Sequence, residues 1–357
     1  MNYSTFGGII HFYYFCIMNQ NTKYIPEWEI DGRVLLALPH EDTDWSEILD
    51  LALDQYREII RAFIENGERI ILLVPDIAKS IETLNIPDLE SIEFVEVPTN
   101  DTWTRDYGPI MVNRQDRLRA LDFGFNGWGL KFASDKDNLV NLNLEKLRAM
   151  PVGLYKNIRE FILEGGSIET DGEGTILTTS RCLLSPNRNG GRTKFEISKK
   201  LNEYLGADHI LWLDYGALIG DDTDSHIDTL CRMAPGNTIL FTGCKDMDDP
   251  QFEELLHMRA QLSLFKNALG EPFNLIELPL PDPVYDESNN RLPATYANYL
   301  VTPRAVYMPV YNQPAKDELA CNTIKIAFPN HKVVPINCSV LIRQHGSLHC
   351  STMMVNF

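Results

Sequence analysis

The feature that most restricts the fold is an alternation running from residue 33 to residue 337. Strand-like runs come in pairs, followed by a helical stretch and a further strand, and this order recurs with no low-complexity linker. Residues 33–38 read as a buried strand ending at Pro39. Between 45 and 67 apolar side chains fall at 48, 52, 56, 59, 60, 63 and 64, the spacing of an amphipathic helix closed by Asn66-Gly67. Strands are expected at 69–74, 93–97, 110–112, 118–125, 161–163, 175–179 and 209–213, with a helix near 192–205. The same order continues with strands at 239–242 and 274–278 around a helix near 250–266. It closes with strands at 299–302, 305–310 and 332–337 and a helix from Pro314. A chain of 357 residues with this pattern is expected to be one α/β domain built of structural repeats.

Residues 7–17 are apolar but too short to span a bilayer. No Lys or Arg precedes them and no small-residue cleavage site comes after, so they make a poor export signal. Met18 is therefore expected to be the natural start, with residues 1–17 a dispensable extension and residues 18–357 the domain. Seven cysteines, at 16, 182, 231, 244, 321, 338 and 350, form no CxxC pair. That disfavours a disulfide scaffold or structural zinc and fits a reducing compartment, the cytoplasm. The net charge of −18 disfavours nucleic acid and anionic membranes and suits a cationic small substrate.

Chemistry-bearing residues cluster in four segments. Asn100-Asp-Thr-Trp-Thr-Arg-Asp-Tyr-Gly-Pro109 comes after a strand, and its carboxylates and Trp103 could hold a planar cation. Its bland reading is a turn in which Asp106 pairs with Arg105. Glu164-Gly-Gly-Ser167 puts a carboxylate at a strand end beside glycines that permit close backbone approach. Gly220-Asp-Asp-Thr-Asp-Ser-His-Ile-Asp-Thr229, if extended, places 222, 224, 226 and 228 on one face. Three carboxylates and an imidazole on that face must meet solvent, a metal or a cation. A metal is not expected, because no second His cluster exists and a nearby thiolate would compete for it. The last segment, Gly346-Ser-Leu-His-Cys350, offers a thiol nucleophile. On a strand His349 and Cys350 would point to opposite faces, so His226 is the better candidate base.

Taken in order, these blocks resemble the agmatine deiminase and bacterial-type peptidylarginine deiminase family of the guanidino-group-modifying superfamily. Asp171-Gly-Glu-Gly174, Cys182-Leu-Leu, Asn187-Arg-Asn189 and Tyr296-Ala-Asn298 complete the set, which spans nearly everything from Pro26 onward. The resemblance implies a pentein fold, a five-bladed α/β propeller of ββαβ pseudo-repeats with the site in its central channel. It also implies roles. Cys350 would attack the guanidinium carbon, and His226 would be general acid and base. Asp106 and Asp228 would hold guanidinium nitrogens, Glu164 would orient His226, Trp103 would wall the pocket, and Asp222 would be a further substrate contact. No cofactor is implied.

Two departures bear on the substrate. Many members carry Gly-Gly-Gly before the catalytic His-Cys pair and Gly before the His of the acidic segment; here His345-Gly346-Ser347 and Ser225 stand there. Only seven residues lie beyond Cys350, leaving little strand to hold that loop. Agmatine is the expected substrate, since two cationic ends suit an acidic pocket and no Arg pair is evident for a carboxylate. Arginine or peptidyl-arginine deimination remains the alternative, as does a non-catalytic protein that binds a cationic ligand. Neither nucleic acid nor membrane is an expected partner, and a homo-oligomer is left open.

Overall fold

The computed structural model describes residues 22–357; the apolar run at 7–17 and the expected start at Met18 lie outside them. The order is β1 (Thr22–Tyr24), β2 (Arg33–Ala37), α1 (Leu49–Glu65), β3 (Ile70–Val74), α2 (Ile77–Leu84) and β4 (Ile92–Glu96). Next come β5 (Ile110–Arg114), β6 (Arg117–Gly124), α3 (Val140–Lys146) and β7 (Tyr155–Ile162). β8 (Ile168–Thr170), β9 (Thr175–Thr179), α4 (Lys194–Leu205) and β10 (His209–Leu213) repeat that order. So do β11 (Cys231–Ala234), β12 (Thr238–Gly243), α5 (Phe252–Leu262) and β13 (Asn274–Pro279). The last elements are β14 (Leu300–Val301), β15 (Ala305–Val310), α6 (Pro314–Ala327), β16 (Lys332–Asn337) and β17 (Met353–Val355).

These strands form five small sheets. In four of them an antiparallel pair is extended by a parallel strand that returns through a helix: β5-β6-β7, β8-β9-β10, β11-β12-β13 and β14-β15-β16. A parallel neighbour needs a long crossover, which the helix supplies. The fifth sheet, β17-β2-β3-β4, is assembled from both ends of the described chain, with Met353 opposite Leu35. Its β3 strand, Ile-Ile-Leu-Leu-Val, is buried along its whole length, as a strand covered on both faces must be. α1 supports this sheet by burying Ala52, Tyr56, Ile59, Ile60 and Phe63. The fold is therefore mixed α/β, and its loops between sheets carry the polar motifs.

Three expectations are corrected. The 222–228 segment is not extended: Asp224 and Ser225 have φ of 68° and 64°, and Ile227–Thr229 is a 3-10 turn. The cause is local bonding, since the Asp221 carboxylate accepts from the Ser225 N–H at 2.7 Å and the Thr223 hydroxyl accepts from the His226 N–H at 3.0 Å. Residues 348–351 form a turn as well, so the alternation argument against His349 rested on a strand that starts only at Met353. Finally, Met353–Val355 suffice to hold the Cys350 loop, because they pair with β2.

Candidate active site

Four connections bring the expected residues together, and of these Trp103, Asp106, Asp222 and Cys350 line a cavity of about 370 Å³ with Trp128 and His345 among others. Asp106 comes from the helical turn Thr104–Tyr107 after β4. Its Oδ1 accepts from the Gly166 N–H at 3.0 Å and its Oδ2 from the indole N–H of Trp128 at 2.9 Å. His226 Nδ1 lies 3.5 Å from Asp106 Oδ1. The ring of His226 is fully buried, and neither nitrogen has a hydrogen-bond partner.

Gly166 is where these groups meet. A Cβ there would lie 2.7 Å from Asp106 Oδ1, 2.8 Å from His226 Nδ1 and 3.1 Å from Asp228 Oδ2. The second glycine of the Glu164-Gly-Gly-Ser167 block thus makes room for three polar side chains to converge, beyond any need of a turn. Gly346 has a comparable function on the other wall, since a Cβ would fall 2.3 Å from the Trp103 ring.

Cys350 is held by Asn298. The Cys350 N–H donates to Asn298 Oδ1 and the Asn298 amide donates to Sγ, both at 3.2 Å. Sγ is 3.8 Å from Asp228 Oδ2. That same oxygen accepts from His349 Nδ1 at 2.7 Å, while Asp228 Oδ1 is buried without a partner. His349 is therefore not a partner of Cys350 but of Asp228.

Glu164 does not hydrogen-bond His226, the contact that an orienting role leads one to expect. Its two oxygens accept from Arg188 Nε at 2.9 and 3.1 Å, and Arg188 continues to Asp224 at 2.5 Å and the Thr223 carbonyl at 2.8 Å. This buried guanidinium binds the Glu164 connection to the acidic loop and draws Asp224 away from the cavity. Glu164, Cys182 and His226 do place potential ligand atoms within 4.8 Å of one another. A metal there would have to compete with Arg188 for Glu164.

The electrostatics result from burial among acids. Burial pushes the Cys350 thiol well above its ordinary range, and the nearby Asp228 and Asp106 carboxylates push it further, against the Asn298 hydrogen bond. Asp106 is pushed up to about 6 by burial and by the charges of Asp228 and Glu164, against His226 and Trp128. Burial alone would lower His226, but Asp106, Cys182 and Glu164 outweigh it and hold the imidazole well above its usual range. Asp228 goes the other way: burial is overcome by the His349 hydrogen bond and by cationic neighbours, so it stays an acid of low pKa. Burial raises Asp222, with His345 opposing it.

Sequence reasoning left four participants without a role: Trp128, Arg188, Asn298 and His349. Trp128 sits between two glycines in a loop where its own φ is 54°, and a bulky residue in left-handed backbone is the signal that could have drawn notice only once the loop was built. Asn298 and Arg188 fall inside motif blocks but act on partners far along the chain.

Comparison with known proteins places this arrangement. The family described as Porphyromonas-type peptidyl-arginine deiminase matches residues 23–355. A Marinomonas protein provisionally named an agmatine deiminase is 33% identical, covering 92% of this chain and 93% of its own. A C. jejuni agmatine deiminase variant solved with substrate bound is 40% identical with a TM-score of 0.86, covering 94% of this chain and 97% of that one. An Enterococcus faecalis agmatine deiminase is 25% identical with a TM-score of 0.81, covering 94% and 96%.

Proposed function

The chain belongs to the Porphyromonas-type peptidyl-arginine deiminase family, and on that premise we propose that it hydrolyses agmatine to N-carbamoylputrescine and ammonia. The observation that carries the choice of substrate is the cavity lining: Asp44, Asp101, Asp106 and Asp222 supply carboxylates, and no Lys or Arg is among the lining residues. A substrate with a guanidinium at one end and an ammonium at the other suits such a wall. The carboxylate of free arginine would find no Lys or Arg there to pair with.

In this reading the chemistry starts from a neutral thiol. Resting Cys350 is protonated because burial, and then the two carboxylates near it, raise its thiol pKa. A guanidinium seated on Asp106 and Asp228 compensates those charges and lowers the thiol pKa, so that Cys350 gives its proton to solvent through the cavity and becomes the nucleophile only when substrate is present. The thiolate attacks the guanidinium carbon. His226, protonated beforehand, gives its proton to the departing ammonia. The neutral imidazole then takes a proton from water as it attacks the amidino-cysteine, and collapse of the adduct returns the thiolate with the ureido product while the hydroxyl proton passes to solvent. Trp103 and Trp128 wall the site, and Trp128 also steadies Asp106. Five sheets, four of common order and a fifth joining both ends of the described chain, support a five-bladed propeller with this site at its axis. Placement in the cytoplasm fits the free thiols and a soluble amine substrate; among the described residues no helix is long and apolar enough to cross a membrane.

The test is ammonia release by purified protein from agmatine, free arginine and an arginine-containing peptide, beside Cys350→Ala. Turnover of agmatine, lost in the variant by a factor of about 10⁴ or more, is the expected result. Preference for the peptide would move the protein to peptidyl-arginine, and binding of agmatine without ammonia release would defeat the enzymatic reading.

A further inference from the structure

The histidine preceding the expected nucleophile is more tightly engaged than the expected base. His349 is buried on the 348–351 turn, with Nδ1 at 2.7 Å from Asp228 Oδ2 and Nε2 at 3.2 Å from Glu27 Oε1. Both contacts end on carboxylate oxygens, so a ring nitrogen that bonds there does so as the donor. The turn is fixed too, because the His349 N–H donates to the Asn298 carbonyl at 3.1 Å.

Glu27 is an unusually rigid seat for the far side of the ring. Its Oε1 is paired with Arg105, and its Oε2 accepts from the Val301 N–H at 2.9 Å and from Arg232 at 3.2 Å. Arg232 is itself held by Glu169 at 2.6 Å and lies over the Tyr299 ring. Burial opposes ionisation of Glu27, but Arg105, His349 and Arg232 hold its carboxyl far below the ordinary range. A ring braced on this seat cannot tilt, and its other nitrogen is committed to one oxygen of Asp228. The second oxygen, Oδ1, is the buried one without a partner.

We propose that His349 is a positioning residue for the reaction: seated on Glu27, it donates from Nδ1 to Asp228 Oδ2 and so turns Oδ1 of that carboxylate to the guanidinium. It acts through Asp228 and does not touch substrate. The inference rests on the reading of the site as an agmatine deiminase.

Asn and Gln separate this role from a general packing role. The Asn amide nitrogen can occupy the place of Nδ1, whereas the Gln amide nitrogen reaches that of Nε2. The full chain is assayed for ammonia release from agmatine over a range of pH, as wild type, His349→Asn, His349→Gln and Glu27→Gln, with thermal melting as the check on folding. Wild-type turnover comes first; its absence removes both the functional reading and this proposal. Given turnover, His349→Gln is expected to lose about 100-fold in kcat/KM while His349→Asn stays within about tenfold. Glu27→Gln keeps an oxygen acceptor for Nε2 and is expected to stay within about tenfold too. In His349→Gln the loss of activity from protonation of Asp228, which in the wild type lies in stronger acid than the Asp106 limb, should also move to higher pH. The groups facing Asp228 are His226, Arg232, Asp106, Cys350 and His349, and losing the His349 donor raises the pKa of the acid. Equal losses in Asn and Gln, or a wild-type-like Gln variant, overturn the proposal. If His349→Gln does not fold, His349→Asn decides alone: a folded variant within tenfold of wild type supports the proposal, and one beyond it overturns the proposal.

Discussion

At the scale of single residues, the site is a problem of packing several like charges into a dry space. Gly166→Ala tests that packing, because its methyl group would press on Asp106, His226 and Asp228 together. We expect a folded protein whose kcat/KM for agmatine falls by about 100-fold or more, measured beside an unchanged far-ultraviolet spectrum. Trp128→Phe removes the indole donor to Asp106 Oδ2, which leaves that oxygen buried and unpaired. The wild-type kcat/KM should fall as pH drops through about 6, since protonated Asp106 no longer attracts a guanidinium. In Trp128→Phe that limb should lie at higher pH, with activity at pH 6 down about tenfold; a limb that stays in place would show that Asp106 is not the titrating group. Cys350, His226, Asp106, Asp228 and Glu164 could be marked as candidates in the sequence because each stands in a compact block of polar and glycine residues, while their expected roles came from the resemblance of the ordered blocks. The partners of Glu164 and His349 were not, since Arg188 and Glu27 reach them from remote segments.

At the scale of elements, the sequence was most legible where strands are central and apolar. β10, β15 and β16 occupy the residues that the hydrophobic runs mark. β8 and β11 escaped notice because each buries a charge, Glu169 on one and Arg232 on the other, and the two pair at 2.6 Å across neighbouring sheets. A charged residue breaks the apolar pattern unless its partner is known. Capping is local by contrast: Thr193 and Glu196 form a reciprocal capping box at the start of α4. Thr193→Ala should cost about 1 kcal/mol and leave activity unchanged, read by urea denaturation beside the agmatine assay. Deleting residues 353–357 is the severe case, because β2 would lose its antiparallel partner and the Cys350 turn its anchor. The expected outcome is loss of a cooperative melting transition, seen by calorimetry.

For the molecule as a whole, buried acids set the response to pH. Burial raises Asp101 to about 7, Asp137 to about 8 and Asp106 to about 6, all from 3.8. Between about pH 4 and 8 the folded chain therefore holds more protons than the unfolded one, and stability falls as pH rises through that window. Asp228 and Asp249 have lowered values and work in the opposite sense in stronger acid. The melting temperature should rise by about 5 °C from pH 8 to pH 6 and fall again below about pH 4; a flat profile would show that these carboxyls are not proton-bearing in the fold. The pairing of β17 with β2 also bears on how a ribosome delivers this protein. The edge of β2 stays open until residues 353–355 are made, an invitation to pairing with neighbouring chains that their emergence withdraws. Cys350 lies in the same stretch, so a chain that has not yet reached it carries the acidic cavity residues without the proposed nucleophile, and the proposed chemistry on guanidines waits on the same residues that close the sheet.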